Sequence, residues 1–231
     1  MRFIDLGDVT PEYSVCADRA ILKSHSSADD DTLLIYSRNR PCISVGRFQK
    51  IDDVVNIDYV KESGISIVRR ISGGSSIYSD ANQLTYSLTV SKDRLPLSRN
   101  DSFATVCGAL VISLRKLGVF GEYKPVNDVL VNGRKISGGA QARSGSAVLQ
   151  HGSIIINVDE NVVSSSLKQV KARSYEGLTS LKKCLGYIPS RDILSKAIMD
   201  GFSEVFGSVV PGELSAGEID EIKMSADLLL I

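Results

Sequence analysis

Three short segments of the sequence carry residues whose types and spacing suit chemistry on a carboxylate or a phosphate. The first covers residues 69–80 and reads RRISGGSSIYSD, so that a predicted strand leads two arginines into a pair of glycines. Glycines let the backbone approach a ligand closely, and exposed N–H groups in such a loop bind anions. Arg69 and Arg70 add groups that bind carboxylate or phosphate in bidentate fashion. The alternative for a Gly-Gly loop alone is a plain hairpin between strands at 65–70 and 83–90, and the segment is neither a P-loop nor a GxGxxG motif.

The second segment covers residues 127–140 and reads NDVLVNGRKISGGA. Asn132-Gly133 is the residue pair that a type I′ turn requires, so the segment is predicted to be a β-hairpin. Arg134 and Lys135 then point to opposite faces of the second strand, and only one of them can face a given cleft. Taken by itself, a hairpin lysine is more often a solvated charge that protects a sheet edge.

The third segment reads QHGS over residues 150–153, inside a predicted strand. It contains His151, one of the two histidines of the chain. A single histidine among strand residues is more often a hydrogen-bonded structural residue than a catalyst.

Composition limits the classes of protein to which these segments can belong. The chain has 231 residues, of which 43% are hydrophobic and 23% charged, with 27 basic and 27 acidic residues that cancel. A zero net charge argues against a protein that coats nucleic acid or an anionic membrane. The apolar runs are too short to span a bilayer, and the first residues do not form a signal peptide. The four cysteines stand alone without zinc spacing, which predicts buried thiols, no zinc or haem site, and a cytoplasmic location.

Hydrophobic periodicity and capping residues predict alternating strands and helices. Helices are expected at residues 11–23, 58–63, 101–117 and 190–206 and after Ser215, with Thr10 and Asp101 as N-caps and Ser215 with Glu218 as a capping box. Strands are expected at residues 32–37, 42–45, 65–70, 83–90, 128–131, 134–137, 139–143 and 147–158. The mixture of hairpin and crossover connections predicts an α/β (α+β) fold, a mixed β-sheet with flanking helices, in one domain over residues 1–231.

Taken together and in this order, the three segments resemble the lipoate–protein ligase family, whose relatives include biotin–protein ligases and octanoyltransferases. The resemblance lies in RRISGGSSIYSDANQLTYSL, NDVLVNGRKISGGAQAR and LQHGSIIINVD and extends from about residue 33 to residue 206. It implies the mixed-sheet catalytic domain of that superfamily and a two-step reaction. Lipoate and Mg²⁺-ATP would give lipoyl-adenylate, and a lysine of a lipoyl-domain protein would then attack the activated carbonyl. The acceptors implied are E2 subunits of 2-oxoacid dehydrogenases and the H protein of glycine cleavage, with no nucleic-acid or membrane partner.

The resemblance also implies roles for individual residues. Lys135 matches the essential lysine of the family, which contacts the acyl carbonyl and the phosphate. The residues that match lipoate-binding or nucleotide-binding positions are Arg70, Ser72, Gly73, Gly74, Ser75, Ser76, Ile77, Tyr78, Asn127, Asp128, Gly138 and His151. Asp128 is also the implied ligand of Mg²⁺.

Two departures from the family pattern affect these expectations. The family often has a glycine and an alanine where Ser75 and Ser76 stand, so the stretch that matches the nucleotide contacts carries two hydroxyl groups in this chain. Longer ligases carry a C-terminal accessory domain after the catalytic one. For this chain, either a separate accessory subunit supplies that domain or adenylation proceeds without it.

Two other functions remain open beside the ATP-dependent ligase. An octanoyltransferase would move an acyl group from acyl carrier protein to the acceptor without ATP, through an acyl-cysteine. In the branch with the most similar motifs, that cysteine lies just upstream of the GRK hairpin, where residues 122–131 of this chain contain none. This favours the ligase. A non-catalytic lipoate-binding paralogue is the third candidate, against which the presence of Lys135, Arg70 and the Asn127-Asp128 pair argues.

Overall fold

The structure, a computed structural model, describes residues 1–27, 31–168 and 177–227. In this part of the chain the strands are β1 (Arg2–Val9), β2 (Thr32–Arg38), β3 (Cys42–Val45), β4 (Ser66–Arg69), β5 (Ile77–Ser79), β6 (Gln83–Ser91), β7 (Glu122–Lys124), β8 (Asp128–Val131), β9 (Arg134–Ser144), β10 (Ala147–Ile155) and β11 (Val210–Pro211). The α-helices are α1 (Pro11–Ser24), α2 (Ile51–Val54), α3 (Ile57–Glu62), α4 (Arg99–Lys116), α5 (Glu160–Ser166), α6 (Leu181–Leu185), α7 (Arg191–Phe206) and α8 (Ala216–Asp227).

The strands form two sheets, and both mix parallel with antiparallel pairs. The large sheet has the order β11-β1-β2-β6-β10-β9-β8-β7, in which only β1 pairs in parallel, with β11 and β2. The small sheet has the order β4-β3-β5, with β3 parallel to β4 and antiparallel to β5. The predicted mixed sheet with flanking helices is therefore confirmed. The alternative of a plain hairpin over residues 65–90 is wrong, because β4 and β6 lie in different sheets.

Each face of the large sheet is covered by a different set of elements. On one face, α4 and α7 pack on Leu33, Tyr86 and Ile136 and form the largest hydrophobic core. On the other face, α1, α8 and the small sheet pack on Leu34 and Tyr36. Lys135 pairs with Leu130, which alternates with core residues along β8, so Lys135 faces away from the largest core and toward the second face. This face carries the candidate site.

Local sequence signals explain where most helices begin. Thr10 accepts a hydrogen bond from the N–H of Tyr13 (3.2 Å), and Ser215 and Glu218 exchange the two bonds of a capping box. The predicted cap at Asp101 is wrong. Helix α4 begins earlier, at Arg99, where Ser98 is the N-cap and its hydroxyl accepts from the Asp101 N–H.

The predicted hairpin is confirmed, with positive φ at both turn residues, 50° at Asn132 and 73° at Gly133. Its second strand differs from expectation, because β9 runs unbroken from Arg134 to Ser144 instead of stopping at residue 137. Pairing with β10, which places Gly139 opposite Gly152, carries the strand through its glycines. No helix in the described part of the chain is long and apolar enough to cross a membrane.

Candidate active site

The glycine loop, residues 72–76, is built around the side chain of Arg70. The Arg70 guanidinium donates to the carbonyls of Gly73 (2.7 Å) and Ser75 (2.8 Å) and, from its other terminal nitrogen, to the carbonyl of Ser44 (2.7 Å). Because the C=O and N–H of one peptide plane point in opposite directions, a Gly73 carbonyl turned toward Arg70 turns the Gly74 N–H away from it. Within the described residues, the N–H groups of Gly73, Gly74 and Ser75 donate to no acceptor. The loop therefore offers a set of backbone donors suited to an anion.

Arg70 itself is a buried positive charge whose four acceptors are neutral oxygens, the fourth being Ser72 Oγ at 3.0 Å. Burial, together with the charge of Arg38, lowers the pKa of Arg70 to about 10, which leaves it protonated at neutral pH. A cation held this way stabilises an anion bound at the loop.

Arg69 supports a second loop, residues 46–50, which lies over the first. Its guanidinium donates to the carbonyls of Gly46 (3.0 Å) and Gln49 (2.8 Å). Gln49 Oε1 in turn accepts from the Gly46 N–H (3.1 Å) and from the Ser76 hydroxyl (2.9 Å). The two loops are so close that a Cβ on Gly46 would lie 2.1 Å from the Gly74 carbonyl oxygen. The two neighbouring arginines thus shape two stacked loops.

Lys135 and Asp128 form the ionic centre of the hairpin. Lys135 Nζ lies 2.6 Å from Asp128 Oδ1, and both side chains are largely buried. A Cβ at position 138 would lie 2.5 Å from the lysine Nζ and Cε atoms, so a larger residue here would shift the lysine side chain from its place beside Asp128. The carboxylate fixes the ammonium group in one place on the second face of the sheet.

Asn127 anchors the strand that carries Asp128. Its side-chain amide donates to the carbonyl of Gly139, whose N–H donates back to the Asn127 carbonyl at 2.8 Å. On the other side, the backbone of Lys135 bonds the Gly177 carbonyl and the Thr179 N–H, each at 2.9 Å. The lysine therefore sits in backbone that is hydrogen-bonded on both sides.

His151 joins the glycine loop to the sheet and to α1. Its Nε2 lies 2.6 Å from Ser72 Oγ, and its Nδ1 lies 2.6 Å from Asp18 Oδ2. Asp18 was missed in the sequence analysis, although an acidic residue between the apolar Ala17 and Ala20 on a helix is a recognisable signal. Aspartate is seldom buried without a partner.

The structure brings together part of the predicted set. Arg70, Ser72, Gly73, Gly74 and His151 form one connected group, and the hairpin residues Asn127, Asp128, Lys135 and Gly138 form a second on the same face. Ser76 and Tyr78 bond outside both groups, Ser76 to Gln49 and Tyr78 to Asp80 at 3.0 Å. Ser75 and Ile77 are exposed at the rim.

The four thiols of the chain differ in their burial and in how burial changes their pKa. Cys107, on α4, is buried, and its pKa is raised to about 12 by burial and by Asp128, against a smaller opposing effect of Lys135. Burial also raises the pKa of Cys16 and of Cys42. Cys184 is exposed on α6, with its Sγ 3.7 Å from Thr179 Oγ1. Cys107, whose pKa is affected by the charge of Lys135, is thus held in the protonated, unreactive form.

The fold and this arrangement define an α+β domain in which a glycine-rich loop and a hairpin lysine, both suited to an anionic ligand, lie on one face of a mixed sheet. A family model described as the lipoyl protein ligase A/B catalytic domain matches residues 10–203. The chain belongs to this family.

Three known proteins show the range of the similarity. An octanoyltransferase LipM of Halalkalibacterium halodurans is 28% identical, over 97% of this chain and 94% of its own length. The solved structure of a bi-partite lipoate protein ligase of Thermoplasma acidophilum has a TM-score of 0.85 at 26% identity, covering 98% of this chain and 91% of that one. A lipoate-protein ligase A solved with bound ATP has a TM-score of 0.86 at 27% identity, covering 98% and 94%.

Proposed function

We propose that this chain activates lipoate, or a related medium-chain acid, with ATP and transfers the acyl group to a lysine of a lipoyl domain. In the first step a carboxylate oxygen of the acid attacks the α-phosphorus of ATP, and pyrophosphate leaves. In the second step the acceptor amine attacks the acyl carbonyl, an amide forms, AMP leaves and the amine loses a proton. Both steps develop negative charge next to a phosphate, and the site offers cations and N–H donors to such charge.

The observation that carries this proposal is the burial of Cys107. A transferase that works through an acyl-cysteine needs a thiolate near the lysine. Cys107 lies in the core beneath α4, on the face of the large sheet opposite to the one that Lys135 faces, and burial raises the pKa of its thiol to about 12. Acyl-adenylate chemistry needs no thiol, only the charged and N–H groups that the loop and the hairpin provide.

Each group has a defined part in the proposed reaction. Lys135 acts as a permanent ammonium that contacts the acyl carboxylate and the phosphate, and Asp128 holds it in place. The N–H groups of Gly73 and Gly74 bind phosphate or carbonyl oxygen. The remaining predicted positions, among them Ser75, Ile77 and Tyr78, complete the nucleotide side of the site.

Magnesium fits this site as an ion carried by the nucleotide. Mg²⁺ commonly binds through one or two carboxylates together with substrate phosphates. Asp128, beside Lys135, is the carboxylate of the hairpin that would hold the ion. When bound, Mg²⁺ would neutralise phosphate charge, and Asp128 would share its oxygens between the metal and Lys135.

The second candidate function is transfer of an octanoyl group from acyl carrier protein, independent of ATP. It is favoured by the match to an octanoyltransferase over nearly the full length of both chains. This candidate requires one of the four cysteines as the nucleophile. Cys107, buried beneath α4, and the exposed Cys184 are the two to test.

One assay separates the candidates. The purified chain is mixed with an apo lipoyl domain and one of three donors: lipoate with Mg²⁺-ATP, preformed lipoyl-adenylate, or octanoyl-acyl carrier protein. The acceptor is then weighed by intact mass spectrometry. A lipoyl mass gain that requires ATP supports the proposal, and a gain only with lipoyl-adenylate supports transfer that needs a separate accessory subunit for activation. A gain only with octanoyl-acyl carrier protein would replace the proposal with the second candidate, and no gain with any donor would favour a non-catalytic binder.

A further inference from the structure

A chain of buried hydrogen bonds connects helix α1 to the glycine loop. It runs from Asp18 Oδ2 to His151 Nδ1 (2.6 Å), from His151 Nε2 to Ser72 Oγ (2.6 Å), and from Ser72 Oγ to Arg70 Nε (3.0 Å). All four residues are at most 7% exposed. The carboxylate of Asp18 thus stands at one end of the chain and the guanidinium of Arg70 at the other, with an imidazole and a hydroxyl between them.

The donors at the two ends of this chain are set by residue type. Arg70 Nε can only donate, so Ser72 Oγ accepts from it, and the carboxylate oxygen of Asp18 accepts from His151 Nδ1. Nδ1 therefore carries a proton, while Nε2 accepts from the Ser72 hydroxyl when the ring is neutral and donates to it when the ring is charged. The Tyr36 hydroxyl also donates to Asp18 Oδ2, at 3.2 Å.

Ser72 is the point at which this chain controls the loop. Its side chain is held by His151 and Arg70, and its carbonyl accepts from the Arg47 N–H at 2.9 Å. The next residues, Gly73 and Gly74, carry the N–H groups that the proposed function assigns to phosphate or carbonyl oxygen. A small displacement of Ser72 would misdirect those donors.

We propose that Asp18 and His151 are positioning residues that hold Ser72, and through it the glycine loop, in its ligand-binding conformation. This inference rests on the proposed function for the meaning of the loop, but the hydrogen-bond chain can be tested without it. Because they act through Ser72, neither residue needs to touch the reacting atoms. Loss of either residue should therefore misalign the loop N–H donors in the transition state more than it weakens binding of the substrate in the ground state.

The molecule offers a matched control. Its other histidine, His25, also contacts a buried aspartate, with His25 Nε2 2.9 Å from Asp31 Oδ1. Asp31 bonds the Ser91 N–H at the end of β6 (3.0 Å) and takes no part in the chain that reaches the loop. Asp18→Asn and Asp31→Asn therefore remove equivalent charges from two buried His–Asp pairs.

The kinetic test uses whichever donor the wild-type chain accepts. For Asp18→Asn we expect kcat to fall roughly tenfold or more, as for a misplaced donor, with the KM of the acyl donor changed by less than about threefold. Asp31→Asn should lower the melting temperature and leave kcat within about twofold of wild type. If Asp18→Asn loses as much stability as Asp31→Asn but keeps its kcat, the pair is structural and the proposal is wrong.

A spectroscopic test needs no activity and no folded variant of Asp18. With two histidines, the wild-type chain labelled with ¹⁵N-histidine gives two sets of ring signals, and the set lost in His151→Gln belongs to His151. We expect its protonated nitrogen to be Nδ1, with a proton shifted far downfield by the bond to Asp18. Protonation at Nε2 alone would overturn the proposal. A chain inactive with every donor that still shows the Nδ1 proton would disprove the proposed function and leave the hydrogen-bond chain intact.

Discussion

At the scale of single residues, Lys135 is the group whose loss should matter most for the reaction. Lys135→Ala removes the ammonium that Asp128 holds at 2.6 Å, and loss of one preorganised charge at a reacting centre costs about 10²–10³-fold in rate. We expect kcat/KM for acyl transfer to fall by at least this factor. Mass spectrometry of the acceptor under initial-rate conditions measures it.

The control for this variant is Lys196→Ala, which removes an exposed lysine paired with Asp200 on α7. Surface pairs of this kind contribute little to stability, and activity should be unchanged. If Lys135→Ala keeps wild-type activity, the assignment of the hairpin to the active site is wrong.

Cys107 provides the second prediction at this scale. With a pKa of about 12, about one thiol in 10⁴ is ionised at pH 8, so Cys107→Ala should leave ATP-dependent lipoylation within about twofold of wild type. The cost should instead appear in unfolding, at about 1 kcal/mol for a small buried side chain. Cys184→Ala should have no effect on either measurement. An acyl thioester trapped on either cysteine would instead identify the nucleophile of a transferase.

At the scale of elements, the stacking of the two loops gives a steric prediction. A Cβ on Gly46 would lie 2.1 Å from a backbone oxygen, Gly74 O, which cannot rotate out of the way as a side chain could. Gly46→Ala should therefore push the loops apart and weaken ligand binding by roughly tenfold or more, measured by calorimetric titration with the acid and the nucleotide.

Gly108→Ala is the control, since a Cβ at this position on helix α4 meets nothing within 4 Å. This substitution should stabilise the protein by about 0.5–1 kcal/mol. Wild-type affinity in Gly46→Ala would show that the loops do not depend on their stacking.

Elements with strong local signals were predictable from the sequence, and those held by distant partners were not. Thr10 and Pro11 located α1, and the Asn132-Gly133 pair located the hairpin, because caps and turns are set by a few neighbouring residues. Strand β1 was missed, because Arg2–Val9 owes its conformation to parallel pairing with β2 and with β11, more than 200 positions away.

The same distinction applies to the candidate site. The glycine loop and Lys135 carry local motifs, and both became site candidates because the motifs together resemble a known family. The link from Asp18 to His151 spans 133 positions, so nothing in either local segment indicates the other. The sequence also does not predict that both arginines support loop backbone, because an arginine in this place could equally bind a ligand directly. Their hydrogen bonds to the two loops depend on tertiary contacts.

At the scale of the whole molecule, the site depends on how the last described helix closes the fold. Helix α8 packs against α1, which carries Asp18, and Ile222 joins the core beneath α1. The helix is fixed to the first strand by a partly buried ion pair between Arg2 and Glu218, and Glu218 also accepts from the Ser24 hydroxyl at 3.0 Å. Elements from both ends of the described chain therefore support the same buried face.

The packing of α8 onto α1, held by the Arg2–Glu218 ion pair, should be sensitive to acid. Burial raises the pKa of Glu218, but the hydrogen bond from Arg2, the Ser215 N–H, the charge of Arg2 and the Ser24 hydroxyl together lower this pKa below its ordinary value of 4.5. A carboxylate with a lowered pKa contributes stability that is fully present above the unfolded-state value and is lost as the pH falls through the folded-state value. Unfolding by urea at a series of pH values should therefore show the free energy of unfolding declining below about pH 4.5. Glu218→Gln should lower it by roughly 2 kcal/mol at pH 7 and flatten the decline, because the titrating group is gone. An equal slope in wild type and variant would mean that other carboxylates, such as Asp5 beside Arg191, account for the acid sensitivity, and that the Arg2–Glu218 pair does not control the closure of α8 onto α1.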